Sequence, residues 1–576
     1  MKRRVIPVVM AGLLVASAPS WAQTPTDQQI HALVVRAQQR IAQSQTATPA
    51  QPPAGAAASS HPSVALTLDQ AVQDALDRNL NIAVQRLNPQ TYDFQLSGLR
   101  AAYLPSLTSR LSAQSSTTPA TSQLSGGQAV NAGNQAFNAG FLQNIPWGGG
   151  SLSLNWTNSR ATTTNSFSTY NPAFNTDLLA QYTQPLLRGF STDSTRQQLA
   201  VTKLDREISD IQLKSTITNT LSDVRNAYWS LVFAVQSVAV AQQSVDLANK
   251  LVENNKTQVE VGTLAPLDVV QAQSQLATAQ EALVQAQATQ RTDELALKQL
   301  IVGGTNDPIW DATINPTDRP EFQPQAIDIE AAVKKALSER TDLQIVQRDV
   351  QANDITLKFL HDQVLPQADL VASYGTQGLG GTQFIRAGGL GSTNIAQTLP
   401  GGYVDALSSL GALNFPTWTV SLNFSYPLGT STADAAVARA RLQVNQTQAQ
   451  IRQVQLQVAT DVTNAAVQVQ NSVEAVQAAR AARDLAQKEL DAEQSKFEVG
   501  MSTNYLVIQA QRDLATAANN ELQATLNYRK ALVQLDRAEQ TTLQTSGITV
   551  VSSGGLNNSA VGSGRPTVVA GGGGGD

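Results

Sequence analysis

Cysteine is absent from this 576-residue sequence, which excludes a disulfide framework, thiolate metal sites, a cysteine nucleophile and a lipid-modified N-terminal cysteine. Histidine is scarce: His31, His61 and His361 are isolated, with no metal-ligand spacing. Charged residues are 14% and aromatics 5%. The net charge is −5, with no Lys/Arg cluster beyond Lys2, Arg3 and Arg4, so a basic nucleic-acid surface is excluded and no nucleic-acid partner is expected. G-x-S-x-G and P-loop patterns are missing, as is a dinucleotide fingerprint in a strand–helix context. The scattered carboxylates read as solvated helix charges. The chain is expected to be no enzyme and to carry no cofactor or metal.

Long apolar runs are missing too. Lys2–Arg4 precede a short apolar stretch, Val5 to Ala16, and Ser20-Trp21-Ala22 follows with small residues at the cleavage positions. Residues 1–22 therefore read as an export signal cut before Gln23. Nothing later reaches the ~18–20 apolar residues of a membrane-spanning helix, so an exported protein without a helical anchor is expected.

What is present is a duplication. Residues 261–279 (VGTLAPLDVVQAQSQLATA) match 499–517 (VGMSTNYLVIQAQRDLATA) at 10 of 19 positions, an offset of 499 − 261 = 238. The same register pairs Asp246-Leu-Ala with Asp484-Leu-Ala, and Asp223-Val224 with Asp461-Val462. A second register, offset by 261, pairs Ala71, Val72, Ala75 and Leu76 with Ala332, Val333, Ala336 and Leu337, and Leu104-Pro105 with Leu365-Pro366.

Each half is expected to open with one helix of roughly 35–40 residues, stopped before the Leu-Pro pair because proline disfavours helix in the residue preceding it. The period then changes. Trp418, Val420, Leu422, Phe424, Tyr426 and Leu428 alternate with Thr419, Ser421, Asn423 and Ser425, a strand apolar on one face. Its length suits the ~9–11 residues of a membrane-crossing strand. Similar segments follow Leu365-Pro366 and stand at 107–113, 151–157 and 178–186, while 115–177 reads either as an added hairpin or as long loops. Alternation alone would also suit a soluble sandwich.

Residues 191–258 hold 68 positions without proline or glycine, enough at ~1.5 Å per residue for a helix of about 100 Å. Leu221, Val224, Tyr228, Leu231, Val235 and Val238 step by three and four, a coiled-coil seam. A turn at Val261-Gly262 and a return helix from Pro266 to Ile301 follow, and 431–498 with 503–540 repeat the layout. Such helices need neighbours. A few strands cannot close a barrel, and open edges are not tolerated in lipid, so strands must be pooled between copies.

The expected divisions are a signal peptide (1–22), a flexible segment (23–65), a first repeat (66–303; strands 104–187, hairpin 191–303), an equatorial connector (304–326), a second repeat (327–540; strands 365–429, hairpin 431–540) and a Gly/Ser-rich tail (541–576).

Over roughly 66–540 the chain resembles the TolC-like outer membrane efflux proteins. The resemblance rests on the duplication and on the strand ends Gln184-Pro-Leu-Leu-Arg-Gly-Phe190 and Tyr426-Pro-Leu428. The Val-Gly turns followed by Asp268-Val-Val-Gln-Ala-Gln and Leu506-Val-Ile-Gln-Ala-Gln add to it. It implies a mixed α and β membrane protein of the bacterial outer membrane, a homotrimer whose 12-stranded β-barrel continues into a long periplasmic α-helical barrel. The implied role is a passive exit duct for efflux or type I secretion, docked to a periplasmic adaptor and an inner-membrane pump and surrounded by outer-membrane lipid.

The same resemblance makes Val261, Gly262, Thr263, Val499, Gly500 and Met501 the adaptor-docking tips, although the glycines also suit simple helix caps. Glu260 and Glu498, on last helical turns, read as tip contacts or as solvated acids. Asp268 matches a first-turn aspartate of the family. Three copies would make a cation-favouring ring, yet an acid there is also ordinary chemistry for a helix begun by proline. The second half carries Leu506 and Gln509 where the family often has aspartates, so a mouth lined more by these two than by acids is expected. Trp147, Trp156, Tyr182, Trp418 and Tyr426 are candidates for aromatic belts at the membrane interfaces, with buried packing the alternative; for Tyr228 and Trp229 burial is preferred. The rival readings are a surface coiled-coil adhesin, which needs no alternating strands, and an uptake porin, which would be nearly all strand. Drug, metal and protein substrates are not distinguishable.

Overall fold

The computed structural model describes residues 62–120, 127–262, 264–319, 322–388, 394–429, 431–550 and 568–570. The expected leader, residues 23–61, Thr263 and most of the tail lie outside them.

The opening helix of each half is two helices. In the first, α1 (Leu68–Arg78) starts at a capping box between Thr67 and Gln70, and α2 (Leu80–Ala101) restarts at Asn79. The Asn79 side-chain oxygen accepts from the Asn81 and Ile82 amides, and its Nδ2 donates to the Leu300 carbonyl. That local side-chain competition ends one helix and caps the next. The break recurs 261 positions later, at Arg340, between helices at Ile329–Glu339 and Thr341–Gln363.

In the first repeat, α3 (Ser194–Glu260) and α4 (Pro266–Ile301) form the long hairpin, α3 having 67 residues. Next come a short α5 (Pro308–Asp311), then α6 (Ile329–Glu339) and α7 (Thr341–Gln363), the pair just described. One stretch of α3 is long and apolar enough to cross a membrane, contrary to the sequence expectation. In α3, Leu221, Val224, Tyr228 and Leu231 are fully buried, in one core with Ala71, Val72 and Ala75 of α1 and Leu297 and Ile301 of α4. Val235 and Val238, farther along the same seam, are half-buried.

The connector straps this core. Strand β1 (Ser63–Leu66) pairs in parallel with β6 (Thr313–Pro316), so residues 63–65, expected to end the flexible segment, are strand. The Tyr228 hydroxyl donates to the Leu66 carbonyl (3.0 Å) and to an Asp318 carboxylate oxygen (2.6 Å) that also accepts the Leu68 amide (2.7 Å). Burial, reinforced by the Asp318 carboxylate, pushes the Tyr228 hydroxyl pKa far above its usual value. Tyr228 is thus a permanent neutral donor.

The long strands form one sheet in the order β2 (Ser106–Pro119), β3 (Ala129–Asn144), β4 (Ser151–Thr163), β5 (Tyr170–Pro185), β7 (Gln367–Arg386), with the short β8 (Ile395–Leu399) and β9 (Pro416–Ser425) both pairing β7. The pairings along it are antiparallel. A helix, α8 (Tyr403–Gly411), precedes β9. Within the unassigned stretch 115–177, the described residues include the end of β2, all of β3 and β4 and the start of β5, so β3–β4 is an added hairpin. Six strands of ten or more residues stand where a 12-stranded trimer requires 12/3 = 4 per chain.

The second long hairpin is α9 (Thr432–Glu498), again of 67 residues, and α10 (Asn504–Ala538). The chain continues into a turn of helix, α11 (Thr542–Thr545), with Thr542 and Leu543 buried, so the tail begins as packed structure.

Candidate functional site

The hairpin tips are built by backbone chemistry. Gly262 and Gly500 adopt φ +81° and +77°, a left-handed conformation open to glycine at little cost. At the second tip, Gly500 N–H donates to Phe497 O and Met501 N–H to Lys496 O, the paired bonds of a Schellman cap. At the first, Gly262 N–H donates to Val259 O, and Pro266 starts the return helix at a position where no amide is needed. Capping leaves the apolar side chains free: Val261, Val499 and Met501 are 74%, 70% and 78% exposed. Glu260 and Glu498 are exposed as well, with no ion pair among the described residues.

Sequence reasoning missed what joins the two tips. Asn255 of α3, wholly buried, donates through Nδ2 to the Asn504 side-chain oxygen (2.9 Å) and to the Asp268 carbonyl (3.2 Å). Asn504 Nδ2 donates to that same carbonyl (3.2 Å). About two turns farther along the return helices, Arg512 Nε donates to Gln275 Oε1 at 2.6 Å. Leu251, Val252, Ala272, Val507 and Ile508 pack around the asparagines. A polar clamp in an apolar ring thus holds the first turns of α4 and α10 together, with the Asp268 backbone as its hub. Isolated asparagines in Ala/Gln-rich helices carry no pattern that would have revealed it.

The Asp268 side chain is half-buried, while Leu506 and Gln509 are exposed on the side of α10 opposite Val507 and Ile508. Beside the second turn, Glu493 accepts from Lys496 Nζ and Ser502 Oγ, both at 2.6 Å, and these two donors hold its carboxyl below the usual glutamate range.

At the other end, one sheet face carries Leu107, Leu154, Leu370, Trp418, Val420, Leu422 and Phe424, all exposed, and the opposite face carries Ser153, Thr419, Ser421 and Asn423. Trp418 lies near one end of β9 and Tyr426 just past the other; Trp147 occupies the β3–β4 turn. Tyr182 donates to Gln184 Oε1, whose amide in turn donates to the Gly148 carbonyl of that turn. Trp156 is half-buried under α8, its Nε1 donating to Thr176 Oγ1. Where β5 becomes α3, Arg196 pairs with Asp193 and donates to the carbonyls of Gly189, Phe190 and Ser191. That clamp fixes the strand–helix corner.

A lipid-type strand face on a pair of capped helical hairpins, each led by a 67-residue helix, is the arrangement of a channel wall. A family model described as outer membrane efflux protein matches residues 71–303 and 332–539, one match per repeat. The chain belongs to the outer membrane efflux protein family. Its place is the outer membrane, with a periplasmic portion. A search of curated proteins finds no match. Among solved structures, the outer membrane channel CmeC of Campylobacter jejuni aligns at TM-score 0.58 and 14% identity, over 82% of this chain and 86% of that one. A membrane protein from Pseudomonas aeruginosa aligns at 0.60 and 15%, over 86% and 97%. The outer membrane protein VceC of Vibrio cholerae aligns at 0.57 and 14%, over 82% and 95%. At such identities the likeness establishes the fold, and the family match supplies the efflux assignment.

Proposed function

We propose that three copies of this outer membrane efflux protein form the passive exit duct of a tripartite efflux or type I secretion system, fed by an inner-membrane pump through a periplasmic adaptor. The observation that carries this reading is the state of the sheet edges. β2 and β9 are exposed along nearly their whole length, and an open edge is intolerable in lipid. Six alternating antiparallel strands leave β2 and β9 running in opposite directions, so β9 of one copy completes the ladder with β2 of the next. Three copies would close a barrel of 3 × 6 = 18 strands. A surface adhesin would have no use for such edges.

The tips Val261-Gly262 and Val499-Gly500-Met501 are the adaptor-docking surface, where small capped turns expose apolar side chains. Thr263 belongs to the same reading. The mouth is lined by Leu506 and Gln509 more than by Asp268, whose backbone serves the clamp. Trp147, Tyr182 and Tyr426 form the girdle nearest the helices, and Trp418 marks the outer boundary. The chain performs no chemistry of its own, and energy comes from the pump.

Photocrosslinking from position 261 or 499 in intact cells tests the docking. A periplasmic adaptor is the expected product, and crosslinks to surface proteins alone would defeat the duct reading. For the mouth, single-channel recordings with multivalent cations should show weak block that Asp268→Ala hardly changes. Tight block requiring another acid would sink the Leu506/Gln509 lining.

A further inference from the structure

On the outward, apolar face of the sheet, the end away from the helices carries groups ill suited to lipid. Asn158, Thr176 and Thr376 are only 6%, 1% and 3% exposed, because α8 lies across them. The Tyr403 hydroxyl donates to Asn158 Oδ1 (2.7 Å), which also accepts from Thr176 Oγ1 (2.7 Å). The rings of Phe174 and Tyr403 meet edge-on with centroids 6.1 Å apart. The approach is backbone-close: a Cβ on Gly378 or Gly380 of β7 would collide with the α8 backbone at Ala406 and Gly402. The helix is thus seated on a glycine track, with its polar contacts beneath it.

Its outer side is apolar. Val404 is 76% exposed and Leu407 41%, while Asp405 is engaged in capping the Gly402 amide at 2.7 Å. Between α8 and the sheet runs an apolar cavity of about 350 Å³, lined by Phe141, Leu154, Trp156, Leu178, Leu407 and Leu410. It is continuous with the lipid-facing surface of β2–β4. In water, Val404 and this groove would be an exposed apolar patch without a purpose. At the membrane boundary they resemble an interfacial helix with its apolar side in the acyl region.

We propose that α8 is a lipid-embedded helix on the outside of the barrel wall, at the outer boundary of the membrane. The groove beneath it holds one acyl chain of a surrounding outer-membrane lipid. The hydrogen bonds joining Tyr403, Asn158 and Thr176 under the helix keep that part of the wall compatible with lipid, and the captured chain fills the space left between helix and strands. This goes beyond the duct reading and stands whichever pump is used.

The absence of cysteine makes single-cysteine probes clean. In intact cells, a water-borne membrane-impermeant maleimide should label Val404→Cys at least ~10-fold more slowly than Gln128→Cys, exposed immediately before β3, because hydrocarbon excludes the reagent. Equal rates would place α8 in water and overturn the proposal. In vesicles of brominated-chain phosphatidylcholine, a bimane on Leu407→Cys should be quenched and one on Gln128→Cys should not; no difference between them also overturns it. For the groove, native mass spectrometry of the detergent-extracted assembly should retain one lipid per chain. That lipid should be lost in Ala139→Leu, which fills the groove floor, with assembly read from the mass in the same spectrum. An unchanged lipid count in an assembled variant, or none bound to the native assembly, would remove the acyl chain from the proposal.

Discussion

Helices α3 and α9 are each 67 residues long and start 432 − 194 = 238 positions apart, and α4 and α10 keep the same spacing. The strands that feed them do not repeat. The first repeat supplies four long strands, β2 to β5, and the second supplies β7 and β9 with β8 and α8 between them. The tips diverge as well: Asn255, at the centre of the clamp, stands where the second hairpin has Glu493, and Asp268 where it has Leu506. A tube tolerates little variation in the length of its staves, because every turn must arrive at the same level. Its two ends face different surroundings and are free to differ.

The sharpest way to break this comparison is to ask whether the added β3–β4 hairpin is wall in the same sense as β9. Leu154→Arg should cost as much as Val420→Arg, about 2–4 kcal/mol for a cation on the lipid face, whereas Ser153→Arg and Ser421→Arg, on the opposite face, should be tolerated. Recovery of folded protein from the outer membrane and its unfolding in denaturant would show this. A harmless Leu154→Arg beside a damaging Val420→Arg would put the added hairpin outside the wall.

The tips come next. Asn255→Leu strands the Asn504 side chain in a dry environment and should cost about 1–3 kcal/mol, loosening the contact between α3 and α10 and raising the open probability of single channels. Glu493→Gln, at the equivalent place but half-exposed, should change neither appreciably. Equal effects would mean that the tips are symmetric after all. Gly262→Ala and Gly500→Ala should each cost about 1–2 kcal/mol, since both force a side chain into the left-handed region, and here the two repeats should respond alike.

The smallest expected effect concerns pH. Asp205 of α3 is raised above the ordinary aspartate value of 3.8 by burial and by Asp349 of α7. Folding therefore favours its protonated form. The associated stabilisation is fully present below the ordinary value and is lost as pH rises through the folded one. Asp205→Asn should thus stabilise the protein slightly at neutral pH, and the gain should vanish in acid. Thermal melts at both pH values would show it; a gain independent of pH would contradict the assignment.

The sequence made the helices legible because their signals are local and strong. Pro266 at the first helical position and Gly262 beyond the last mark the boundaries of the tip, and the 238-residue register transfers them to the second half. The strand region was only partly legible. In β3, Phe137 and Phe141 are spread among Ala, Asn, Gly and Gln, a pattern too weak to separate a membrane strand from a loop. The break at Asn79 hid because an asparagine inside a helical pattern does not announce that it caps. The Arg340 break has no side-chain cap at all; there Arg340 grips Asp342 and Asp461 instead. The clamp at Asn255, the seat of α8 on Gly378 and Gly380, and the grip of Tyr228 on Asp318 all join segments distant in sequence. No local pattern encodes such encounters.

The central claim is that this outer membrane efflux protein pools six strands per chain into one closed wall above paired helical hairpins. Electron cryo-microscopy of the complex extracted from the outer membrane and held in lipid nanodiscs tests it directly. Three copies, with β9 of each hydrogen-bonded to β2 of the next in a wall of 18 strands, is the expected result. A 12-stranded wall with β3–β4 folded away from it, or a monomer with free edges, would contradict the account.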